Sequence, residues 1–533
     1  MIHHGRKLLV VAAVAAAVAA SPARANFIES LGVGARASAL GSAFIGVADS
    51  PAAIYYNPAG LTQMLGDGRP TDQSLGVKIV NISYNVRQPV ASAESGLNAG
   101  GQVNSSFDDL FYQPDFPGGL ELTDSIYVAP FAFTAPFGGF LRFPEDKGDQ
   151  RFSSYEAAEL FVNFSPRIAI KLTDWLSIGG GPDVQAFNQI KRKSRLGDGF
   201  AIGNAAQFLG TTEAEAERLL GLVGVRSNGL DDGKIGIESD DEVPTGLRPV
   251  NEMNSNWEDV GFTVGLHLQP TDWLRIGAVY RSEIRAHIEG TAKAILFDDP
   301  VVDFFNELAA SPIGPILGVD PIHDDAERFK LVFPLPAQIG GGVAIDVTDW
   351  LMLTGDVVWT DWQHARREDT VWFGGDGLGP GVFLDGTAAD PSTAPKLGIK
   401  VAKIKRRFKS TLSWRGGVEI KLTDHIRTQF GYWYDPDPQS DKYYAFDDGV
   451  DDRIYYSAGI GAYGLFDGLL DFNLAYQFIE FKRRRINIGE SMNLGGTKFF
   501  VDPFSDGQAD NTDFALSVGG QVQAFSIDAT LHF

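Results

Sequence analysis

Few residues of this chain are of types that perform chemistry. The sequence of 533 residues has no cysteine, which excludes thiol catalysis, thiolate metal sites and a disulfide framework. A Ser-His-acid hydrolase needs a histidine held in a defined motif. The histidines after residue 25 lie in no recognisable one: His267, His287, His323, His364, His425 and His532. The sequence therefore predicts neither an enzyme nor a cofactor.

Three arginines are candidates for binding an acidic ligand. Hydrophobic alternation places Arg275, Arg281 and Arg285 on an inner face. The fork of a guanidinium group matches the geometry of a carboxylate, so any of them could hold the head of a fatty acid. Pairing with an acidic residue of the same wall is the alternative, and it is left open.

The acidic stretch 231–242 offers a weaker candidate, for divalent cations. The residues around it partly match a calcium loop, but Leu230 and Ser239 stand where ligands are required. We therefore predict no defined metal site, and loose binding of divalent cations to this stretch is left open.

A recurring short turn organises the elements that position these residues. Leu-Thr-Asp or a related phrase recurs at 122–124, 172–175, 270–273, 347–350 and 422–425, with a degenerate copy at 466–468. Asp and Gly suit tight turns, and hydrophobicity alternates with period two on both sides of each copy. Before the second copy, for example, Val162, Phe164 and Ile168 share one face. This pattern predicts half-exposed strands joined as hairpins.

Three features favour a membrane barrel over a soluble β-sandwich, in which such alternation is equally normal. The turns at one end are short and the connections at the other are long, as in outer-membrane barrels. Trp175, Trp273 and Trp350 directly follow the turn aspartates, where an interfacial aromatic girdle would lie. The last strand alternates to the end of the chain and closes with Phe533.

The number of turns predicts the size of the barrel. Six turns join twelve strands, and a first strand near 75–87 and a last near 515–533 bring the total to fourteen. The predicted fold class is all-β, a 14-stranded antiparallel transmembrane β-barrel that occupies residues 71–533. A barrel this wide has a lumen that its wall side chains cannot fill. It is therefore either plugged or an open channel.

The N-terminus and the net charge define the compartment. Residues 1–25 combine a basic start, an uncharged apolar run and an A-x-A site at 23–25, which is the pattern of a secretory signal peptide. The formal net charge is −23, so no nucleic-acid partner is expected. We expect a monomer in the outer membrane of a Gram-negative-type bacterium, inserted by the barrel-assembly machinery.

Residues 26–70 do not alternate and are predicted to plug the lumen as a small hatch. The segment 32–37 formally matches a dinucleotide fingerprint, but no strand precedes it, so that interpretation is rejected. The segments 34–44, 48–50 and 56–61 closely resemble the N-terminal hatch of the FadL-type long-chain fatty acid transporter family. That family also includes uptake proteins for aromatic hydrocarbons.

The resemblance implies a hatch inside a fourteen-stranded barrel and diffusive uptake of hydrophobic molecules. In that family, movement of the hatch opens a route to a kink in the third strand, where ligand leaves sideways into the lipid. This assigns the gate to Asn57, Pro58 and Ala59, which could also simply start a short helix. The kink is expected among residues that disrupt strand pairing, with Pro130 preferred: Pro130, Pro136, Gly138 and Gly139. Alternatively, the last three only bend the end of the strand.

Two long extracellular loops, about 195–256 and 297–327, carry exposed apolar residues of the kind that mark binding surfaces. A helix is predicted at 211–225, with Thr212 as its cap. The expected ligand groove is formed by Phe208, Leu219, Leu220, Phe304, Phe305 and Leu308. The alternative, that the loops pack only on each other as a lid, is left open.

The sequence therefore predicts an outer-membrane channel for hydrophobic molecules, with long-chain fatty acids as the expected cargo and aromatic hydrocarbons as the alternative. An outer-membrane lipid hydrolase lacks a catalytic motif, and a general porin does not suit the hatch and the apolar loops. Outer-membrane lipids are further expected partners. Lipopolysaccharide is another, contacted by the basic segments 405–407 and 482–485.

Overall fold

The computed structural model places an N-terminal segment inside a β-barrel. It describes residues 28–29, 31–66, 68, 70–89, 102–142, 156–195, 234–239, 260–295, 307, 310–312, 327–374, 401–444, 451–487 and 515–533. The predicted signal peptide, the helix predicted at 211–225 and all six predicted groove residues lie outside this part. Of the acidic stretch 231–242, only 234–239 lies within it.

Fourteen strands form one closed antiparallel sheet, as the sequence predicts. The sheet contains 23 strand segments, because interruptions divide eight of the barrel strands in two and the N-terminal segment adds one more. In chain order these are β1 (Ile28–Glu29), β2 (Thr71–Pro89), β3 (Gln102–Asp115), β4 (Gly118–Thr123), β5 (Ile126–Ala129), β6 (Phe133–Arg142), β7 (Glu156–Phe164), β8 (Arg167–Thr173), β9 (Leu176–Arg195), β10 (Lys234–Ser239), β11 (Val260–Thr271), β12 (Leu274–Arg281), β13 (Ile284–Ile295), β14 (Glu327–Leu335), β15 (Gln338–Thr348), β16 (Leu351–Thr360), β17 (Glu368–Phe373), β18 (Val401–Lys405), β19 (Thr411–Lys421), β20 (Ile426–Asp435), β21 (Arg453–Gly464), β22 (Leu470–Asn487) and β23 (Ala515–His532).

Barrel strands are numbered from 1 to 14 around the wall. Strands 1, 5 and 11 to 14 are single segments, namely β2, β9, β20, β21, β22 and β23, and the other eight each combine two consecutive segments. Strand 14 pairs with strand 1 from His532 opposite Asp72 to Ser517 opposite Arg87, which closes the barrel.

The outer face of the wall is apolar between two aromatic levels. Leu353, Leu412 and Phe430 are examples of outward-facing apolar side chains that are exposed. Trp175, Trp273 and Trp350 are half-exposed beside the short turns. A band of this kind faces the lipid in membrane barrels. Among the described residues, no helix is long and apolar enough to cross a membrane.

The hatch precedes strand 1 and contains three short helices. These are α1 (Ala35–Ala39), α2 (Ala53–Tyr56) and a 3-10 helix (Pro58–Met64). Nearly every residue from 31 to 64 is buried. Small residues allow this close approach to the wall: Gly41 has a positive φ of 66°, and a Cβ at this position would lie 2.6 Å from the backbone nitrogen of Tyr432.

Several barrel strands break at a proline, because proline cannot donate to the ladder. Strand 2 breaks at Pro117, between β3 and β4, and strand 4 at Pro166, between β7 and β8. Strand 8 breaks at Pro336. Strand 3 is interrupted over residues 130–132, between β5 and β6, and this break begins at Pro130.

Beyond these breaks, strands 2 and 3 are not paired with each other in the part that the structure describes. Near the short turns β4 pairs with β5. Further along, β3 pairs with β2 alone, whereas β6 pairs with β7 on one edge and with the two-residue β1 on the other. The wall therefore has a gap between strands 2 and 3 in the half away from the short turns.

Candidate functional site

Buried ion pairs around Arg36 of α1 fix the hatch to the wall. Arg36 donates from Nε to Oε2 of Glu419, on strand 10, and from Nη1 to Oδ1 of Asp49, in the hatch, each at 2.6 Å. Asp49 is also paired with Arg275 of strand 7 at 3.2 Å. Arg275 in turn binds Asp346 of strand 8 at 3.1 Å. These five residues are called the latch.

The carboxylate of Asp49, at the centre of the latch, keeps its charge at neutral and mildly acidic pH. Burial alone would raise the pKa of Asp49, but the guanidinium groups of Arg36 and Arg275 outweigh it and hold this pKa below its ordinary value. A lowered pKa means that the attraction is present at neutral and mildly acidic pH, and is lost only when the pH falls through the lowered value. Breaking a buried ion pair by removing one partner typically costs about 3–5 kcal/mol.

The predicted gate residues lie at a second contact between hatch and wall. Asn57 is fully buried, and its Oδ1 accepts a hydrogen bond from the backbone nitrogen of Ala59 at 3.2 Å, which caps the 3-10 helix that begins at Pro58. Its Nδ2 donates to the carbonyl oxygens of Ile45, at 3.1 Å, and Leu266 of strand 6, at 3.0 Å. One side chain thus joins two parts of the hatch to the wall.

Wall glycines leave the space that the Asn57 side chain occupies. A Cβ on Gly265 of strand 6 would lie 2.1 Å from Oδ1 of Asn57. A Cβ on Gly277 of strand 7 would lie 2.0 Å from the carbonyl oxygen of Ile45. No side chain fits at either position unless the hatch moves.

We expect Gly265→Ala to loosen the hatch. The added methyl overlaps Asn57, and overpacking of this kind costs about 1–3 kcal/mol, so the open fraction should rise about tenfold. The natural chain has no cysteine, so a cysteine introduced as Ala53→Cys, at a fully buried hatch position, reports opening by its rate of labelling with a membrane-impermeant maleimide. Gly341→Ala is the matched control, because its Cβ would meet nothing within 4 Å. Equal labelling rates in the two variants would contradict this close fit.

Along strand 1 the inner face of the wall changes from polar to apolar. Asp72, Ser74 and Lys78 face inward beside the hatch, and Val80 and Ile82 follow on the same face towards the long connections. The lumen of a general porin is polar. The apolar half of this lumen therefore argues against the porin alternative.

A first apolar cluster fills this half of the lumen on the side of strands 1 and 11 to 14. Its members are Leu31, Val80, Ile82, Tyr84, Trp433, Tyr444, Tyr455, Ile479, Phe481, Ile486, Val518, Val522 and Ala524. The rings of Trp433 and Tyr455 stack with centroids 4.1 Å apart. Tyr444 belongs to the connection between strands 11 and 12, so this connection covers the cluster.

A second apolar cluster spans the lumen between strands 4, 5 and 7 to 10. Its members are Phe161, Ile190, Ile284, Ala286, Ile288, Ala292, Phe329, Leu331, Phe333, Leu335, Trp362, Val371 and Phe408. Phe161 and Phe333 stack at 4.7 Å although strands 4 and 8 are not neighbours. The contact therefore crosses the interior of the barrel, and the part of the lumen that these side chains occupy and line is called the apolar chamber.

Two guanidinium groups lie in this apolar chamber. Arg366 and Arg406 are fully buried, and both donate to Oδ2 of Asp369, at 3.1 and 2.8 Å. The guanidinium of Arg366 also lies 4.1 Å from the ring centre of Phe333. The arrangement offers positive charge to the anionic head of an otherwise apolar molecule. Sequence reasoning missed it, because it placed Arg406 in an outer basic segment.

Two of the three predicted inner arginines face inward, but they bind the hatch. Arg275 belongs to the latch. Arg281 donates to the backbone carbonyl of Tyr55, lies 4.8 Å from the ring centre of Tyr55, and donates to Oε1 of Gln338 at 3.1 Å. Both side chains therefore hold the hatch in this closed state.

The prediction for Arg285 was wrong. Its side chain is exposed on the outer face and pairs with Glu283 at 2.8 Å. Strand 7 is interrupted between β12 and β13, and this break shifts the alternation so that Ile284 and Ala286 face inward.

The break in strand 3 packs against the hatch. Ala129 precedes the break and Ala132 is its last residue, and both join Ile54 and Leu61 of the hatch in one apolar cluster. Phe131, between them, is 78% exposed. Movement of the hatch would therefore change packing contacts directly at the border of the wall gap.

The other residues predicted to disrupt strand 3 lie within β6. Pro136 lies where the pairing register with β7 shifts, between Thr134 and Phe137. Gly138 and Gly139 pair regularly, opposite Leu160 and Glu159. The hatch thus touches strand 3 at two places: its apolar residues pack at the break that begins at Pro130, and β1 pairs with Phe137 and Gly138 beside the bulge at Pro136.

The hatch separates the apolar chamber from a polar cavity. This cavity, about 530 Å³ in volume, lies on the side of the short turns and is lined by Arg36 and Asp49 of the hatch and by Asp471 and His532 of the wall, among others. In the described part of the chain, no group of three or more His, Asp or Glu side chains could hold a metal ion. The hatch therefore lies between this polar cavity and the apolar chamber.

Comparison with known proteins adds a family and several similar folds. Residues 11–509 match the family described as outer membrane protein transport protein (OMPP1/FadL/TodX). A FadL homologue of Pseudomonas aeruginosa is 17% identical, with a TM-score of 0.63 over 96% of this chain and 100% of that one. Two toluene transporters have a TM-score of 0.53: TbuX of Ralstonia pickettii, 16% identical over 94% of this chain and 98% of its own, and TodX of Pseudomonas putida, 14% identical over 96% and 100%. These likenesses show the barrel fold. No curated protein matches significantly.

Proposed function

The chain belongs to the family of outer membrane transport proteins described as OMPP1/FadL/TodX, and on this premise we propose that its cargo is a long-chain fatty acid. The family resemblance found in the sequence is thereby confirmed. The family is described as one of outer membrane transport proteins. The chain is thus an outer-membrane transporter of hydrophobic compounds, and the fatty acid is the finer proposal.

The apolar chamber is the observation that carries the proposal. Leu331, Phe333 and Ile288 face the lumen from neighbouring strands, in the half where the wall gap lies. An acyl chain that leaves water for such a surface gains about 0.8 kcal/mol for each CH₂ group buried. The chamber thus favours long apolar tails, and it does not select for a particular shape of the cargo.

The buried guanidinium groups favour an acid over a neutral hydrocarbon. Arg366 and Arg406 place positive charge inside the apolar chamber, where a carboxylate could share their N–H donors with Asp369. Aromatic hydrocarbons are the second candidate, because stacked rings such as Phe161 and Phe333 offer flat apolar surfaces. TbuX and TodX are described as toluene transporters.

We propose a route that begins at the extracellular loops and ends in the lipid. Capture in the groove of Phe304 and Phe305 rests on the sequence alone. Exit through the gap between strands 2 and 3 is supported by the edges of β3 and β6, which do not pair with each other in the described part of the chain, and by the contact of Ala132 with the hatch. The proposal is for a monomer, because the barrel closes within one chain.

The variant Arg406→Gln tests the fatty acid against the hydrocarbon. Loss of a hydrogen bond to a charged group costs about 1.5–3 kcal/mol, so uptake of a labelled long-chain fatty acid should fall about tenfold while uptake of an alkane of equal length stays unchanged. Arg285→Gln is the matched control, since Arg285 is an exposed arginine on the outer face. The fatty acid assignment fails if Arg406→Gln slows both compounds equally or neither.

A further inference from the structure

Exposed basic residues gather on the outer surface at the end of the barrel that carries the long connections. We call this set the basic rim: Arg367, Lys405, Arg407, Lys409 and Lys442. Arg367 precedes β17, and Lys405 is the last residue of β18. Arg407 and Lys409 lie between β18 and β19, and Lys442 lies in the connection between strands 11 and 12. The chain as a whole has a net charge of −23. The positive charge of this surface is therefore opposite in sign to the net charge of the chain.

Backbone pairing places these residues side by side. The carbonyl oxygen of Arg367 accepts hydrogen bonds from the backbone nitrogens of Arg406 and Arg407, both at 2.9 Å. The guanidinium of Arg407 lies 5.4 Å from the ring centre of Tyr443, and Nζ of Lys442 lies 5.9 Å from the same centre. The basic rim is therefore one continuous surface across strands 9 to 11.

Alternation of inner and outer positions turns these cations outward. Arg366 and Arg406 are fully buried in the apolar chamber, and the residue after each, Arg367 and Arg407, is exposed. The inner pair is held by Asp369. The basic rim is thus separate from the arginines proposed to meet cargo.

The basic rim lies at the upper edge of the apolar band. On strand 10, the outward-facing Leu412 and Trp414 are 40% and 53% exposed, and Lys409 precedes Leu412 by three residues. Tryptophan is enriched where a membrane meets water. The cations above it are therefore at the depth of lipid head groups.

In the part of the chain that the structure describes, the acidic side chains on this surface are fewer than the basic ones. Asp361 accepts hydrogen bonds from His364 at 2.7 Å and Ser410 at 3.0 Å, and Asp441 accepts one from Arg484 at 2.7 Å. Glu368 lies cross-strand from Lys405. Among the described residues of this surface there are thus five cations and three acids, and two of these acids are bound by other residues.

We propose that the basic rim binds the phosphate groups of lipopolysaccharide in the outer leaflet of the outer membrane. Arginine and lysine donate charge-assisted hydrogen bonds to phosphate oxygens, and arginine does so with two parallel N–H groups. Leu412 and Trp414, directly below, offer apolar surface to the acyl chains of the same lipid. This site is independent of the nature of the cargo.

The test compares two double variants of the full-length protein. Arg407→Gln with Lys409→Gln removes two cations of the basic rim. Lys171→Gln with Lys421→Gln, the matched control, removes two part-exposed lysines that pair with turn aspartates at the opposite end. The probe is diphosphoryl lipid A in detergent micelles, and bound lipid A is measured by native mass spectrometry after detergent exchange. Binding by the rim variant should be about tenfold weaker than by wild type and control.

Additional binding and competition measurements identify which part of the lipid the basic rim recognises. Dephosphorylated lipid A should bind the wild-type protein as weakly as diphosphoryl lipid A binds the rim variant. Inorganic phosphate should compete poorly, because it lacks acyl chains, and phosphatidylglycerol should compete poorly because it lacks the paired phosphates. Heat-modifiable migration on gels verifies that both variants are folded. Equal binding by the two double variants overturns the proposal, and so does full competition by either additive or equal binding of both forms of lipid A.

Discussion

Replacing Arg36 by methionine is expected to open a steady ion current through a barrel that stays folded. The side chain forms two 2.6 Å hydrogen bonds, to Glu419 of the wall and Asp49 of the hatch. Methionine fills similar space without charge, so both carboxylates lose a buried partner at a cost of about 3–5 kcal/mol. That cost falls on the closed hatch and not on the strand ladders. Conductance in planar bilayers should therefore rise more than tenfold above wild type.

The matched control for this variant is Lys421→Met. Lys421 forms an ion pair of similar length, 2.8 Å, with Asp424, but the pair is exposed at a short turn. An exposed pair of this kind contributes little, because solvent screens it, so the current should stay at the wild-type level. A closed channel in folded Arg36→Met would show that the latch does not hold the hatch.

Two polar substitutions in the apolar chamber are expected to reduce fatty acid uptake about tenfold. Leu331 and Leu335 of β14 are buried in the second apolar cluster. Asparagine has nearly the same size as leucine, so the double change to Asn removes apolar contact without widening the path. At about 25 cal/mol per Å², a loss of roughly 60 Å² of contact with the acyl chain corresponds to this factor.

The same double change on the outer face provides the control. Leu353 and Leu412 face the lipid and are 42% and 40% exposed. Their replacement by Asn should leave uptake within about twofold of wild type at equal surface expression, because stability effects alone are shared by both double variants. If the chamber variant transports as fast as this control, the chamber does not lie on the route of the cargo.

The sequence predicted the fold because its determinants are local. Each short turn is encoded by three or four consecutive residues, and the period-two alternation of hydrophobicity on either side of it identifies the strands. Six turns then suffice to count fourteen strands, and the structure confirms that number. The hatch was recognisable because its small residues and the turn at Asn57 form one continuous motif.

The latch was not predicted because its partners are far apart in sequence. Arg36 and Glu419 are separated by 383 positions, and no local pattern joins them. The one available clue was a lone arginine in a run of small residues expected to be buried, since such a charge needs a partner. Arg285 was predicted wrongly for a different reason. The inward and outward alternation of β12 was extended into β13, but the break in strand 7 between them exchanges the inward and outward positions. The wall gap also depends on which edges remain unpaired, and pairing is a property of the whole sheet.

The most direct test of the account is the rate at which cells take up a labelled long-chain fatty acid through this protein. Cells that lack their own transporter should take it up several-fold faster when the folded protein is present in the outer membrane. The gain should disappear when Leu331 and Leu335 are both asparagine. The account is contradicted if cells that carry the folded wild-type protein take up the fatty acid, the alkane and toluene no faster than cells without it.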